Sequence, residues 1–135
     1  MNVLVDTSVW SLALRRRTGH VSPHAVVLRE IIAEGRAVLL GVVRQEVLSG
    51  IRHPEQHTRL KQHLRAFPDV SLEIEDYELA AQIFNTCMKK GIAGGPVDFL
   101  ICATAHRRRY KIFTADPDIE RLARHVAIDL LEPLK

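Results

Sequence analysis

Cysteine is scarce in this 135-residue chain: Cys87 and Cys102 are the only two, and they stand apart. With no CxxC pair and no ladder of spacings, a disulfide framework and a thiolate metal pair are both set aside. Both thiols sit in apolar, helix-like sequence and read as buried free cysteines. No apolar run approaches the ~20 residues a membrane span needs, and the mean hydropathy is −0.02. The N-terminus has no basic segment, and its short apolar run meets an acid early. No signal peptide is read there, and a cytoplasmic location with no membrane partner is expected. No GxGxxG follows the first apolar run, which sets aside a dinucleotide enzyme. There are no repeats, low-complexity tracts or linker-like stretches, so residues 1–135 read as one domain.

What is present is an ordinary globular composition, 47% hydrophobic and 26% charged. The formal net charge is +3 and the sequence pI about 9.1, mildly basic and compatible with a polyanionic partner. Arginine clusters twice, at Arg15, Arg16 and Arg17 and again at Arg107, Arg108 and Arg109. Such clusters suit the C-terminal ends of helices, where cations complement the dipole, and they equally suit a nucleic-acid backbone.

Five short apolar runs read as strands: "NVLV", "AVLLG", "VSLEI", "KIFTA" and "AIDLL". Between them lie helical patterns. The clearest is "EDYELAAQIFNTCMKKG", where Tyr77, Ala80, Phe84, Cys87 and Met88 read as one apolar stripe and Gly91 as the stop. Strands that alternate with helices, each a continuous apolar run, point to an α/β fold with a mainly parallel central sheet of about four or five strands covered on both faces.

Ligands of such sheets gather beyond the carboxyl ends of the strands. Asp6 ends the first run, and Asp116 ends "KIFTA". Asp98 falls in the first turn of the helix after "GGP", and Glu46 lies at the margin of the stripe formed by Val43, Val47 and Ile51. Each acid has a structural role open to it. Asp6 and Asp116 suit N-caps, Asp98 suits the helix dipole, and Glu46 could pair with Arg44 or Arg52. Taken together, they can converge on one edge. Convergent carboxylates repel until a pKa rises or a cation neutralises them, and oxygen-only sites suit hard ions such as Mg²⁺ or Mn²⁺. His53, His57 and His63 do not offer a zinc site, because "HPEQH" is not HExxH and Pro54 stands where a helix would begin.

Four stretches in order, "VDTSVW", "RQEVLSGI", "VDFLICATA" and "IFTADPDIERLA", resemble the PIN-domain ribonucleases, most closely the VapC-type toxins of toxin–antitoxin pairs. The resemblance covers nearly the whole chain and implies a three-layer α/β/α PIN-like fold. It makes Asp6, Glu46, Asp98 and Asp116 a catalytic and metal-holding quartet. Thr7, Ser8 and Thr114 match supporting hydroxyl positions, and Trp10 a bulky packing position. The implied activity is an Mg²⁺- or Mn²⁺-dependent endoribonuclease that leaves a 5′-phosphate and a 3′-hydroxyl. The implied partners are RNA, reached in part through the arginine clusters, and a small VapB-like antitoxin. A second copy of the chain is also implied, joined through helices near the N-terminal half. Two departures stand out. Ile119 replaces a common aromatic, and Asp118 adds an acid beside Asp116. The glycines of "AGGP" are expected to loosen the lead-in to Asp98.

Other phosphoryl chemistries fit poorly. A phosphoacceptor domain needs an aspartate ending a central strand, where "AVLLG" has Gly41, and a haloacid-dehalogenase-type phosphatase needs DxDxT, where Asp6 is followed by Thr7 and Ser8. The remaining alternative is a catalytically silent PIN-like module that binds RNA or protein without cutting.

Overall fold

Val3, Leu4 and Val5 are fully buried. Neighbouring side chains of a strand point to opposite faces, so three buried residues in a row require cover on both. They form β1 (Val3–Val5), the middle strand of a sheet ordered β2–β1–β3, with β2 at Ala37–Val38 and β3 at Lys111–Phe113. Both pairings are parallel, with Leu4 opposite Val38 on one side and Ile112 on the other. The computed structural model describes residues 1–14 and 22–132.

Among the described residues there are seven helices. α1 (Thr7–Leu14) and α2 (Pro23–Ala33) follow β1, and α3 (Gly41–Ser49) and α4 (Pro54–Leu64) follow β2. α5 (Ile74–Lys89) and α6 (Pro96–Arg108) lead to β3, and α7 (Pro117–His125) follows it. α1 to α4 pack in one group, and α5, α6 and α7 in another, with α5 against α6 the most extensive helix pairing. The interior of the fold is aliphatic, with Leu4, Ile31, Leu39, Ile101, Ile112 and Leu122 among its fully buried side chains. Each such side chain contributes roughly 1.5–3 kcal/mol through removal from water.

Neither of two expected strands forms in full. "VSLEI" forms no strand: the bridge there, Leu39 with Asp69, falls one residue before it, and Glu73 becomes the N-cap of α5 and Ile74 its first residue. "AIDLL" gives one bridge, Ile112 with Leu130. The described sheet therefore has three strands, with one bridging residue beyond each edge.

The apolar stripe expected on α5 divides. Asp76, Ile83 and Cys87 are buried, whereas Tyr77, Phe84 and Met88 face outward. Gly91 ends this helix at a positive φ of 72°, as a C-terminal stop requires. The lead-in to Asp98 is tight rather than loose. A methyl group at Gly94 would stand 3.0 Å from Leu122 Cδ1 and 3.2 Å from the Phe99 ring. Glycine is what lets the chain pass between α6 and α7 there.

Candidate active site

β1 and β3 are adjacent and parallel, so the residues that follow them share one edge of the sheet. Asp6 N donates to the Phe113 carbonyl at 3.0 Å, carrying the ladder one step past β1. The Asp6 carboxylate then turns into the fold, where the residue is only 5% exposed. Its Oδ2 accepts from Ser8 Oγ at 2.6 Å, Thr114 Oγ1 at 2.9 Å and Ser8 N at 3.3 Å. The two hydroxyls also serve as acceptors. Ala115 N donates to Ser8 Oγ at 2.9 Å, and Asp116 N to Thr114 Oγ1 at 3.0 Å. A hydroxyl has one proton and two lone pairs. Ser8 and Thr114 thus give their protons to Asp6 and their lone pairs to the backbone after β3.

The helix-capping roles hold. Asp116 is the N-cap of α7, and its Oδ1 accepts from Asp118 N at 2.9 Å. Asp98 reaches back to Gly95 N with Oδ2 at 2.9 Å. Glu46, exposed on α3, accepts from Thr7 Oγ1 through Oε1 at 3.0 Å. It does not pair with Arg44, whose guanidinium goes to Asp69 and to the Phe67 carbonyl.

One pattern runs through all four acids. Each anchors one carboxylate oxygen: Oδ2 of Asp6, Oδ2 of Asp98, Oδ1 of Asp116 and Oε1 of Glu46. The other oxygen of each makes no hydrogen bond among the described residues. Burial pushes the Asp98 carboxyl above its ordinary range. The Gly95 amide pulls it down, and the negative charges of Asp116, Asp6 and Asp118 add to the rise. Asp98 is therefore near enough to Asp116 and Asp6 to feel their charge, and Asp118 contributes from its exposed place on α7. Cys102, buried beneath this edge, has its thiol pushed up to about 12, by burial first and then by Asp98, and is inert.

Among the described residues, no three carboxylate, imidazole or thiolate side chains converge closely enough to enclose an ion. The donor set is nonetheless that of a hard cation. All its atoms are carboxylate oxygens, one free per side chain, and Mg²⁺ ordinarily takes one or two carboxylates and keeps several waters.

The arginine clusters fare differently. Arg15, Arg16 and Arg17 lie outside the described residues. Arg107 and Arg108 are occupied by Asp76, which has no exposed surface. Arg107 Nη1 donates to Asp76 Oδ1 at 2.8 Å, and Arg108 donates to both oxygens at 2.7 and 2.9 Å. These guanidiniums hold the Asp76 carboxyl well below the usual range, Arg108 most strongly, against the opposing effect of burial. They stand at the C-terminal end of α6, whereas Asp98 stands in its first turn, about 14 Å away along the axis. Arg107 and Arg108 thus hold Asp76 at the far end of α6 from Asp98. Sequence reasoning missed Asp76. Its signal was the turn over residues 91–95, which folds α5 back on α6 and brings 76 level with 107 and 108.

Trp10 is buried and packs on Phe67 with ring centroids 5.4 Å apart, as its bulk suggested. Among the described residues, no helix is long and apolar enough to cross a membrane.

An acidic edge on a three-stranded parallel sheet between helices defines a PIN-like α/β protein. The PIN domain family model matches residues 3–125, and the chain belongs to that family. Among solved structures, FitAcB from Neisseria gonorrhoeae aligns over 97% of both chains with a TM-score of 0.77 at 20% identity. VapBC2 from Rickettsia felis, bound to a DNA fragment from its promoter, covers 100% of both at TM-score 0.76 and 16% identity. VapBC-1 from nontypeable Haemophilus influenzae covers 100% of both at 0.77 and 15%. Likeness at these identities is one of fold. No curated protein matches the chain in sequence.

Proposed function

We propose that this chain is the toxin of a toxin–antitoxin pair, an endoribonuclease whose single PIN-like domain cuts RNA in the cytoplasm at the edge marked by Asp6, Glu46, Asp98 and Asp116. The observation that carries the reading is the division of labour within each acid, one oxygen fixed by the protein and the other left free. Capping and metal holding are therefore not rivals, since one carboxylate can do both.

A bound Mg²⁺ or Mn²⁺ would neutralise phosphodiester charge and make a water acidic. Asp6, Asp98 and Asp116 would hold it with their free oxygens, one or two of them directly and the rest through its waters. Ser8 and Thr114 keep Asp6 from rotating, and Thr7 does the same for Glu46. Glu46, with its Oε2 free, would orient an attacking water or take its proton. The Asp118 amide holds Asp116 Oδ1, and its carboxylate adds negative charge without a hydrogen bond to the other acids. The fold relatives VapBC2 and FitAcB support a small antitoxin as a partner.

The test is Asp6→Asn. An asparagine oxygen in place of Oδ2 still accepts from Ser8 and Thr114, so the fold is retained while the anionic charge is lost. Divalent-metal-dependent cleavage of total RNA should disappear, with the melting profile kept. Undiminished cleavage by the folded variant, free of contaminating nuclease, would overturn the site. RNA binding in EDTA, with no cleavage under any metal, would make the chain a silent binding module instead.

A further inference from the structure

The basic excess of the chain is concentrated in one short segment. Residues 52–65 carry four cations, Arg52, Arg59, Lys61 and Arg65, against one acid, Glu55, a net charge of +3. The whole chain is also +3, so its other residues balance. The segment is α4 with its flanks, His53 as the N-cap and Arg65 as the C-cap. Leu60 and Leu64 are buried and hold α4 to the fold, while all four cations are exposed. Among the described residues none of the four has an ion pair. Arg44, by contrast, pairs with Asp69, and Arg107 and Arg108 pair with Asp76. Every fourth residue from 53 to 65 is basic: His53, His57, Lys61 and Arg65. Positions four apart lie one above another on a helix, so these four form a ridge about 18 Å long, with a basic group roughly every 6 Å. Glu55 stands off this row, one turn before Arg59.

We propose that this ridge, with Arg52 and Arg59 beside it, binds the phosphate backbone of the RNA. Cations at a helix C-terminus complement its dipole, which accounts for Lys61 and Arg65 taken singly. It does not account for Arg52, at the end where the dipole opposes a cation, nor for two like charges set four residues apart, which repel. A row of positive charge with no counter-charge of its own suits a row of negative charge. The imidazoles of His53 and His57 can each donate an N–H to a phosphate oxygen even when neutral. An acidic polypeptide is also an anion, but a regular row of single charges better matches a backbone that carries one charge per residue. The place in the fold suits the same partner. Glu46 on α3 meets Thr7 at the acidic edge, and α4 follows α3 and packs against it. A strand held along α4 is kept beside the helix that bears one of the acids. The acids themselves repel phosphate, so affinity for the backbone has to come from elsewhere on the surface, and Arg107 and Arg108 are taken by Asp76. The inference deepens the proposed nuclease reading and rests on it for RNA as the substrate.

Fluorescence anisotropy of a short, labelled, unstructured RNA tests it, with the full chain in EDTA so that binding is read without cleavage. Lys61→Gln combined with Arg65→Gln should weaken binding on the order of tenfold, with the melting profile kept. It should also flatten the slope of log binding constant against log salt by about 1.4, roughly 0.7 for each contact to a single strand. Lys61→Arg combined with Arg65→Lys keeps both charges and should bind as the wild type does. Lys89→Gln combined with Lys90→Gln, the same loss of charge at the end of α5, should change affinity by less than about twofold. Equal weakening by the α5 pair would make the effect one of net charge, and an unchanged slope in the α4 pair would take the ridge away from the RNA. Either overturns the proposal. So would poly-glutamate that displaces the RNA as well as unlabelled RNA does at equal charge, which would give the ridge to an acidic polypeptide. Cleavage assayed in parallel with Mg²⁺ separates this inference from the reading beneath it. Cleavage by a chain whose RNA binding ignores α4 removes the ridge alone, and α4-dependent binding by a chain that cuts nothing removes the nuclease reading alone.

Discussion

Thr114 Oγ1 donates to Asp6 Oδ2 at 2.9 Å, joining residues 108 positions apart at the ends of two neighbouring strands. The same hydroxyl accepts from Asp116 N at 3.0 Å, so one side chain sets two of the four acids. Thr114→Val keeps the shape and removes both functions. It leaves a part-buried backbone N–H unpaired and the buried Asp6 one donor short, at a cost of about 1–3 kcal/mol. Urea unfolding should show that loss, and cleavage should fall well beyond what the lost stability explains. Thr114→Ser should restore both. A valine variant with wild-type cleavage would show that the acids are set by something else.

Asp76 invites a sharper stability test. It is fully buried between two guanidiniums, and removing one partner of such a group costs roughly 3–5 kcal/mol. Asp76→Asn should therefore lower the urea midpoint strongly near neutrality. The carboxyl is held below its unfolded value, so its contribution is full above about pH 4 and is lost as pH falls through the depressed folded value. The gap between variant and wild type should narrow at about pH 2. A gap unchanged by acid would mean that Asp76 stabilises by packing rather than by charge.

That pair also marks where the sequence stops being legible. The alternation of strands and helices, the parallel sheet and the acids at its edge are local signals: apolar runs ending on Asp6 and Asp116, and a proline-led helix carrying Asp98. The hydroxyl network could be anticipated only as residue types, since Ser8 and Thr114 meet through the register of β1 and β3. Arg107 and Arg108 look solvated in sequence because nothing local shows that Asp76 will be buried beside them. The stripe on α5 blurred for a related reason. A helix with two apolar faces gives one broad periodic signal, and only packing decides which face turns inward.

Arg109 caps α6 at φ 58°, a left-handed conformation that costs a side chain roughly 1 kcal/mol. Arg109→Gly should raise stability by about 0.5–1 kcal/mol in thermal unfolding, less any entropy regained by the unfolded chain. Cleavage should not change, because Arg109 lies about 16 Å from Asp98 along the helix. A fall in RNA affinity with no change in stability would instead give Arg109 a place on the substrate path.

The raised pKa of Asp98 makes a prediction about cations. Its folded form holds a proton more tightly than the unfolded chain does, so this group contributes stability at acid pH. That contribution declines as pH rises through the elevated value, where Asp98 ionises beside Asp116, Asp6 and Asp118. A divalent cation must displace that proton. Stabilisation by Mg²⁺ or Mn²⁺ should therefore grow with pH across that range and level off above it. At a hundredfold excess over Kd the gain would be about 2.7 kcal/mol, read as a rise in Tm that EDTA reverses. Asp98→Asn should show a smaller rise and little pH dependence in it. An equal rise in the variant would place the cation away from Asp98, and no rise in either would leave the free oxygens facing water alone.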